Sequence, residues 1–232
     1  MPTQSETLNT DMAVRALLDT REMDWQPSPS GKVMRKRLHL VGDAESGQVT
    51  SFVRYLPGSS FPEHDHPEGE EIFVVKGTFS DHRGDANEGM HLLNPEGYRH
   101  APFSELGCLI FVKLRQYDGA GRPVRRTDTR EMAWEASALA GIETKILFED
   151  DRFPDVTRLE RWAPNTNAGV REFPNGVEFF VIEGTFEDHE RRYAAGSWLR
   201  LPAGSKQAAR TDNGCVLYMK TGALPTLRSE TG

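Results

Sequence analysis

The run Gly58-Ser-Ser-Phe-Pro-Glu-His64-Asp-His66-Pro-Glu-Gly-Glu70-Glu71, closed by Gly77 and answered downstream by His100, carries the residue types of a metal site. On an extended strand, side chains two apart share a face, so His64 and His66 point together and Glu70 returns to the same side. His100 adds a fourth donor. Three neutral imidazoles and one carboxylate suit a single divalent transition ion better than calcium or magnesium, which want mainly oxygen. The set suits zinc, iron, manganese, nickel or cobalt and does not by itself name one. Zinc held by all four residues would be a closed structural or sensing site, whereas iron or manganese would keep positions for water, oxygen or substrate. The imidazoles need partners on their second nitrogens, for which Glu68, Asp65 and backbone carbonyls are candidates.

The elements that must position these donors occur twice. Asp19-Thr-Arg-Glu-Met-Asp-Trp25 returns as Asp128-Thr-Arg-Glu-Met-Ala-Trp134, a shift of 109 residues. From Val49-Thr50, which returns as Val156-Thr157, the shift is 107, and it then holds without a gap. Glu71-Ile-Phe-Val-Val-Lys-Gly77-Thr78-Phe79 pairs with Glu178-Phe-Phe-Val-Ile-Glu-Gly184-Thr185-Phe186, and Gly89, Pro95 and Gly97 pair with Gly196, Pro202 and Gly204. Such self-similarity sets the architecture before any local reading.

The duplication works as an internal control. Residues that build the scaffold should persist in both copies, whereas residues serving only a metal can be lost from one. At the 107 shift His64 becomes Arg171, His66 becomes Phe173, Glu70 becomes Val177 and His100 becomes Gln207. The four donors disappear as a set while the turn glycines stay, which is what one shared ion predicts. Glu71 persists as Glu178, His82 as His189, and Trp25, Arg54 and Lys113 also have counterparts, which marks them as scaffold. His91, replaced by Trp198, is either a satisfied strand histidine or a lining residue, and nothing marks His39 as functional.

Both copies show short Val, Ile, Phe, Tyr and Leu runs broken by Gly, Pro, Asp or Asn, the pattern of barrel strands and hairpins. The expected fold is all-β, two tandem barrels: an N-terminal extension at 1–18, a metal-binding domain at 19–118, a linker at 119–124 and a second domain without ligands at 125–232. Asn9-Thr10-Asp11 can cap a short helix running to Leu18, packed over a barrel edge. The net charge of -7 argues against a nucleic-acid partner. No apolar run approaches the ~20 residues needed to span a bilayer. The first residues lack the basic and apolar regions of a signal peptide, so a cytoplasmic location without a membrane partner is expected. The two cysteines, Cys108 and Cys215, occupy matching strand positions and read as buried thiols rather than a disulfide.

The spacing Gly-x5-His-x-His-x3-Glu-x6-Gly, followed by Gly89-x5-Pro95-x-Gly97-x2-His100, resembles both halves of the cupin signature. The resemblance implies a double-stranded β-helix, or jelly roll, with a 3-His/1-Glu centre. Phe52-Val-Arg-Tyr55, the histidine run, Gly77-x-Phe-Ser-Asp81, His100-Ala-Pro-Phe-Ser104 and Phe111-Val-Lys-Leu-Arg-Gln116 are similar to the cupin domain of ChrR-type anti-sigma factors. That family's cupin holds zinc and takes part in the response to singlet oxygen or related oxidants, so His64, His66, Glu70 and His100 are the implied ligands. Its sigma-binding part is a separate zinc domain, and no cysteine or histidine precedes Trp25 here. Edge-strand pairing in cupins makes a homodimer an expectation of the resemblance.

Three uses of the site remain open. It is a regulatory or sensory centre that answers an oxidant or small ligand and changes contact with a partner such as a sigma factor. Alternatively it is a non-haem centre like that of cupin dioxygenases, acting on a small diketone. In the third use the metal is structural and binding occurs elsewhere, for example at Arg171 in the second barrel, provided that no internal carboxylate pairs it.

Overall fold

The computed structural model describes residues 7–117 and 121–229. Of the expected linker 119–124, residues 119 and 120 fall outside the described residues, as do 1–6 and 230–232 at the ends. The described chain is nearly all β, and the 3-10 turn Leu224–Thr226 is its one helical element. The chain divides into two compact units. One holds the N-terminal residues to Thr10, Met23–Glu131 and the residues from Arg228 onward; the other holds Asp11–Glu22 and Met132–Leu227.

In the first unit the central strand Cys108–Leu114 pairs antiparallel with Glu70–Asp81 on one side and Gln48–Tyr55 on the other. Met90–Asn94 and Val33–Val41 extend the sheet outward. A strand flanked on both sides and covered by the core reads as a continuous apolar run, as Cys-Leu-Ile-Phe-Val does. Val33, Val53, Ile72, Val74, Phe79, Leu92, Ile110 and Val112 form the core of this unit. Each such fully buried side chain contributes about 1.5–3 kcal/mol relative to exposure. The second unit repeats the plan, with Cys215–Thr221 between Val177–Glu187 and Val156–Trp162.

Two retained sequence features now have structural reasons. Trp25 is contacted by Lys36 and Arg54, 4.3 and 4.2 Å from its ring centre, and Trp134 likewise by Lys145 and Arg161 at 4.3 and 4.6 Å. The Asp-Thr-Arg motif closes a turn: the Arg21 amide donates to Asp19 Oδ1 and the Thr20 amide to the Gly196 carbonyl. Arg130, Asp128, Thr129 and Gly89 make the same contacts in the other copy.

The expected helix from Asn9 to Leu18 does not form. Asp11 accepts the Ala13 amide in a local turn, and Ala16–Asp19 is an extended strand paired with Ser197–Leu201 in the second unit. The open sheet edge supplies every residue of this segment with a partner, which outweighs a weak helical periodicity. Correspondingly, Arg125–Asp128 pairs with Met90–Asn94 in the first unit. The opening strand of each repeat therefore belongs to the unit built by the other repeat.

Gly77 lies just beyond a bulge in the long strand, where the register against Cys108–Leu114 shifts. Its φ is +80°, and a Cβ would stand 2.4 Å from the Gly107 carbonyl oxygen; Gly184 repeats this against Gly214. Gly77→Ala is therefore expected to cost at least about 2 kcal/mol, from left-handed strain plus the backbone clash. Urea unfolding checks this, and an unchanged midpoint would mean that the bulge relaxes freely.

Candidate metal centre

Two three-residue strands build the site. His64–His66 pairs antiparallel with Tyr98–His100, so that His64 stands opposite His100 and Tyr98 opposite His66. Period-two alternation then puts all three imidazoles on one face of the ribbon. The register is pinned at one atom: the His66 carbonyl accepts the amides of both Gly69 and Gly97, at 3.2 and 3.1 Å. The turn through Glu68 and Gly69, both with positive φ, leads directly into Glu70 at the start of the long strand.

The sequence-predicted donors come together. Candidate ligand atoms of His64, His66 and His100 all lie within 4.8 Å of one another. His66 Nε2 and His100 Nε2 are 2.8 Å apart, and Glu70 Oε2 is 3.6 Å from each. His66, Glu70 and His100 are 5%, 5% and 1% exposed, and His64 is partly exposed.

Hydrogen bonds fix the ring tautomers. His64 Nδ1 is 2.8 Å from the Pro62 carbonyl oxygen, which only accepts, so Nδ1 carries the proton and Nε2 is free to ligate. His100 Nδ1 donates to Asp81 Oδ2 at 3.3 Å, the carboxylate–histidine arrangement that orients ligating imidazoles. Asn94 Nδ2 donates to Glu70 Oε2 at 2.8 Å. Burial holds His66 below its ordinary pKa against the pull of Glu70, with help from the charges of His100, His64 and Arg115. It is therefore neutral near pH 7, as a ligand must be.

A transition ion fits the three-imidazole group, with Glu70 beside His66 and His100. Bonds of about 2.1 Å hold neighbouring donor atoms about 3.0–3.4 Å apart. The spacings of 2.8 and 3.6 Å bracket that range. A cavity of about 450 Å³ adjoins the cluster and is lined by His64, His66 and Glu70, by an apolar wall including Val53, Phe61, Ile110 and Val112, and by Arg35, Arg37 and Arg115.

Several other expectations are resolved. Asp65 and Glu68 do not orient the imidazoles; Asp65 takes Arg99 at 2.9 Å and Glu68 takes Arg228. Their places are filled by the Pro62 carbonyl and Asp81. His91 stays away from the cluster and pairs with Glu71 Oε1 at 2.7 Å, a buried pair also reached by the Tyr117 hydroxyl. His39 bonds the Asn9 carbonyl and Gln48, and His82 stacks on Tyr98. Both cysteines are free and buried, and burial pushes their pKa values up to about 11 and about 12.

Asp81 and Asn94 were missed by sequence reasoning, for opposite reasons. Asn94 becomes Leu201 in the second repeat, in register with Val177, so the Glu70–Asn94 pair is replaced by an apolar pair. That change was visible in the duplication. Asp81 persists as Asp188, which makes it look like pure scaffold, and it does serve both ends: Tyr98, Arg126 and the Arg83 amide bind it alongside His100.

The second unit solves the same interior without a metal site among the described residues. Arg171 makes two 2.8 Å bonds to Glu160, whose carboxyl stays ionised because Arg171 overcomes the penalty of burial. Gln207 donates to Asp188 at 2.8 Å, and Phe173 and Val177 join the apolar core. Arg171 thus has its carboxylate, and the expectation of an anion site there is withdrawn.

Paired jelly-roll barrels with this cluster in one of them define a bicupin. A family model described as the ChrR Cupin-like domain matches residues 13–118 and again 124–225, and the chain belongs to that family, in two copies. Solved structures share the fold. A candidate dioxygenase from Nostoc punctiforme has a TM-score of 0.73 at 18% identity, covering 97% of this chain and 88% of that one. The pirin YhhW from Escherichia coli, in complex with nickel(II), has a TM-score of 0.67 at 13% identity, covering 90% and 98%. An oxalate decarboxylase variant from Bacillus subtilis has a TM-score of 0.62 at 14% identity, covering 96% and 78%. No curated protein sequence matches the chain. Among the described residues no helix is long and apolar enough to cross a membrane.

Asp81 and Asp188 both titrate near 2, below the ordinary 3.8. Burial opposes ionisation at each, but the donors facing them outweigh it: His100 foremost at Asp81, and Gln207 foremost at Asp188. With the folded value depressed, the stabilisation is complete above about pH 4 and disappears as pH falls toward 2. Asp188→Asn, which leaves the first-barrel cluster untouched, is expected to lose about 2 kcal/mol at pH 7 and almost nothing near pH 2. Urea unfolding at the two pH values checks this, and an equal loss at both would mean a steric effect.

Proposed function

We propose that this chain holds one divalent transition ion on His64, His66, Glu70 and His100 of its first barrel, and that the ion meets a small organic molecule entering through the adjoining cavity. The observation that carries the reading is the cavity wall itself, since His64, His66 and Glu70 form part of it. A structural metal would be enclosed by its ligands on all sides. When bound, the ion would supply Lewis acidity and, as iron or manganese, a centre for oxygen chemistry.

The chain's own residues do the remaining work. Asp81 holds the His100 ring with Nε2 inward, the Pro62 carbonyl does so for His64, and Asn94 restrains one Glu70 oxygen. Val53, Phe61, Ile110 and Val112 keep the approach apolar and limit water at the reacting position. The reaction class these features support is oxygen-dependent cleavage of a small enolisable, diketone-like substrate. A second reading is sensing of an oxidant or small ligand with transmission to a sigma factor, which the resemblance to ChrR-type proteins implies and the match to the ChrR Cupin-like domain makes worth testing.

Two experiments test the proposal. Oxygen uptake by Fe(II)-loaded protein over a panel of small diketones is expected to give turnover that His66→Ala abolishes. Silence across the panel, together with capture of an extracytoplasmic sigma factor that oxidant reverses, would favour the sensor. Separately, Asn94→Leu, which copies the second barrel, is expected to weaken metal binding by about 10–100-fold without unfolding the chain. Unchanged affinity in a competitive chelator titration would remove Glu70 from the ligand set.

A further inference from the structure

Arg115 follows the central strand Cys108–Leu114 and stands where the second repeat has Gly222. Both take the left-handed conformation, φ +58° for Arg115 and +81° for Gly222. The fold thus requires a backbone shape that glycine adopts freely and arginine does not. In the second barrel a Cβ at this position would stand 1.9 Å from the Pro154 carbonyl oxygen, so glycine is required there, whereas the first barrel admits a side chain and carries the strained one. Left-handed strain at a bulky residue beside a candidate site is a mark of function.

The surroundings of Arg115 indicate what the side chain is for. It lines the cavity that reaches His64, His66 and Glu70. Its amide is tied to the Gly69 carbonyl at 3.0 Å, in the turn that delivers Glu70, so its position is fixed relative to the donor cluster. The other two arginines of the wall share Glu45, Arg35 at 2.5 Å and Arg37 at 3.2 Å. Asp65, also in the wall, takes Arg99. Among the described residues the Arg115 guanidinium has no carboxylate or hydrogen-bond partner. The cavity therefore combines the Arg115 guanidinium, the Arg35 and Arg37 pair on Glu45, one cluster suited to a cation and an apolar stretch along Val53, Phe61, Ile110 and Val112.

We infer that Arg115 is the anchor for the anionic head of the cavity's ligand, a small organic carboxylate or enolate whose apolar body lies along Val53, Phe61, Ile110 and Val112. Guanidinium matches a carboxylate with two parallel bonds, which an ammonium or neutral amide cannot replace. The inference deepens the function proposed above and names the ligand class of that same cavity.

Calorimetric titration of purified full-length protein with hexanoate and with its neutral analogue hexanamide tests this, in zinc-loaded and metal-free forms. Wild type is expected to bind hexanoate at least ten-fold tighter than hexanamide, and Arg115→Gly and Arg115→Gln to lose that preference. Arg115→Gly should also keep or raise the thermal midpoint, because the strain is relieved, and should bind zinc as wild type does. Equal hexanoate affinity in wild type and Arg115→Gly, absence of hexanoate binding by wild type, or marked destabilisation of Arg115→Gly would overturn the inference. Zinc content, measured on the same samples, decides the metal assignment separately. If no zinc is held, the metal-free titrations still read the dependence on Arg115.

Discussion

One backbone atom sets the geometry on which the site depends. The His66 carbonyl oxygen accepts amides from Gly69 and Gly97, one from each loop that flanks the two-stranded ribbon. Together they fix His64 opposite His100, and a slip of one residue would turn an imidazole to the other face. The same device persists in the second barrel, where the Phe173 carbonyl accepts the amides of Gly176 and Gly204. The backbone that aims the ligands is therefore independent of the ligands. That is why the donors could be lost from one copy without loss of the fold.

The second barrel shows what the interior requires when those donors are gone. A buried polar cluster is tolerable only when each member is satisfied. Arg171 at the His64 position is matched by Glu160, and Gln207 at the His100 position by Asp188. Elsewhere the polar groups are removed outright: Phe173 and Val177 pack in the core, and Leu201 faces Val177. In the first barrel the same volume is left to three imidazoles, a carboxylate and an open cavity. Filled and satisfied on one side, polar and accessible on the other, the two copies separate scaffold from chemistry within a single chain.

The sequence made most of this legible because the information was local or duplicated. Strand alternation sufficed to bring His64 and His66 together, whereas Glu70 joins them through the left-handed turn at Glu68 and Gly69, and the repeat separated these residues from Glu71 and His82. Asn94 was readable in the same comparison, through Leu201. Asp81 was not, because it bonds Arg126 as well as His100 and so persists in both copies. The placement of Ala16–Asp19 and Arg125–Asp128 was also hidden. Neighbours in sequence do not disclose which sheet edge a strand will complete, and the short Ala, Val and Leu run at 13–18 carried a helical period that edge pairing overrode. The strain at Arg115 is likewise a backbone property that residue types and spacing do not disclose.

The metal proposed for the first barrel, one ion on three imidazoles and a carboxylate, is open to a direct measurement. Elemental analysis of the purified chain combined with X-ray absorption at the metal edge tests it most directly. The expected result is one transition ion per chain, bound by nitrogen and oxygen with imidazole scattering from three rings, and with a further light-atom ligand not supplied by the protein. A chain without a stoichiometric metal, or with two ions, or with sulfur in the coordination shell, would contradict it.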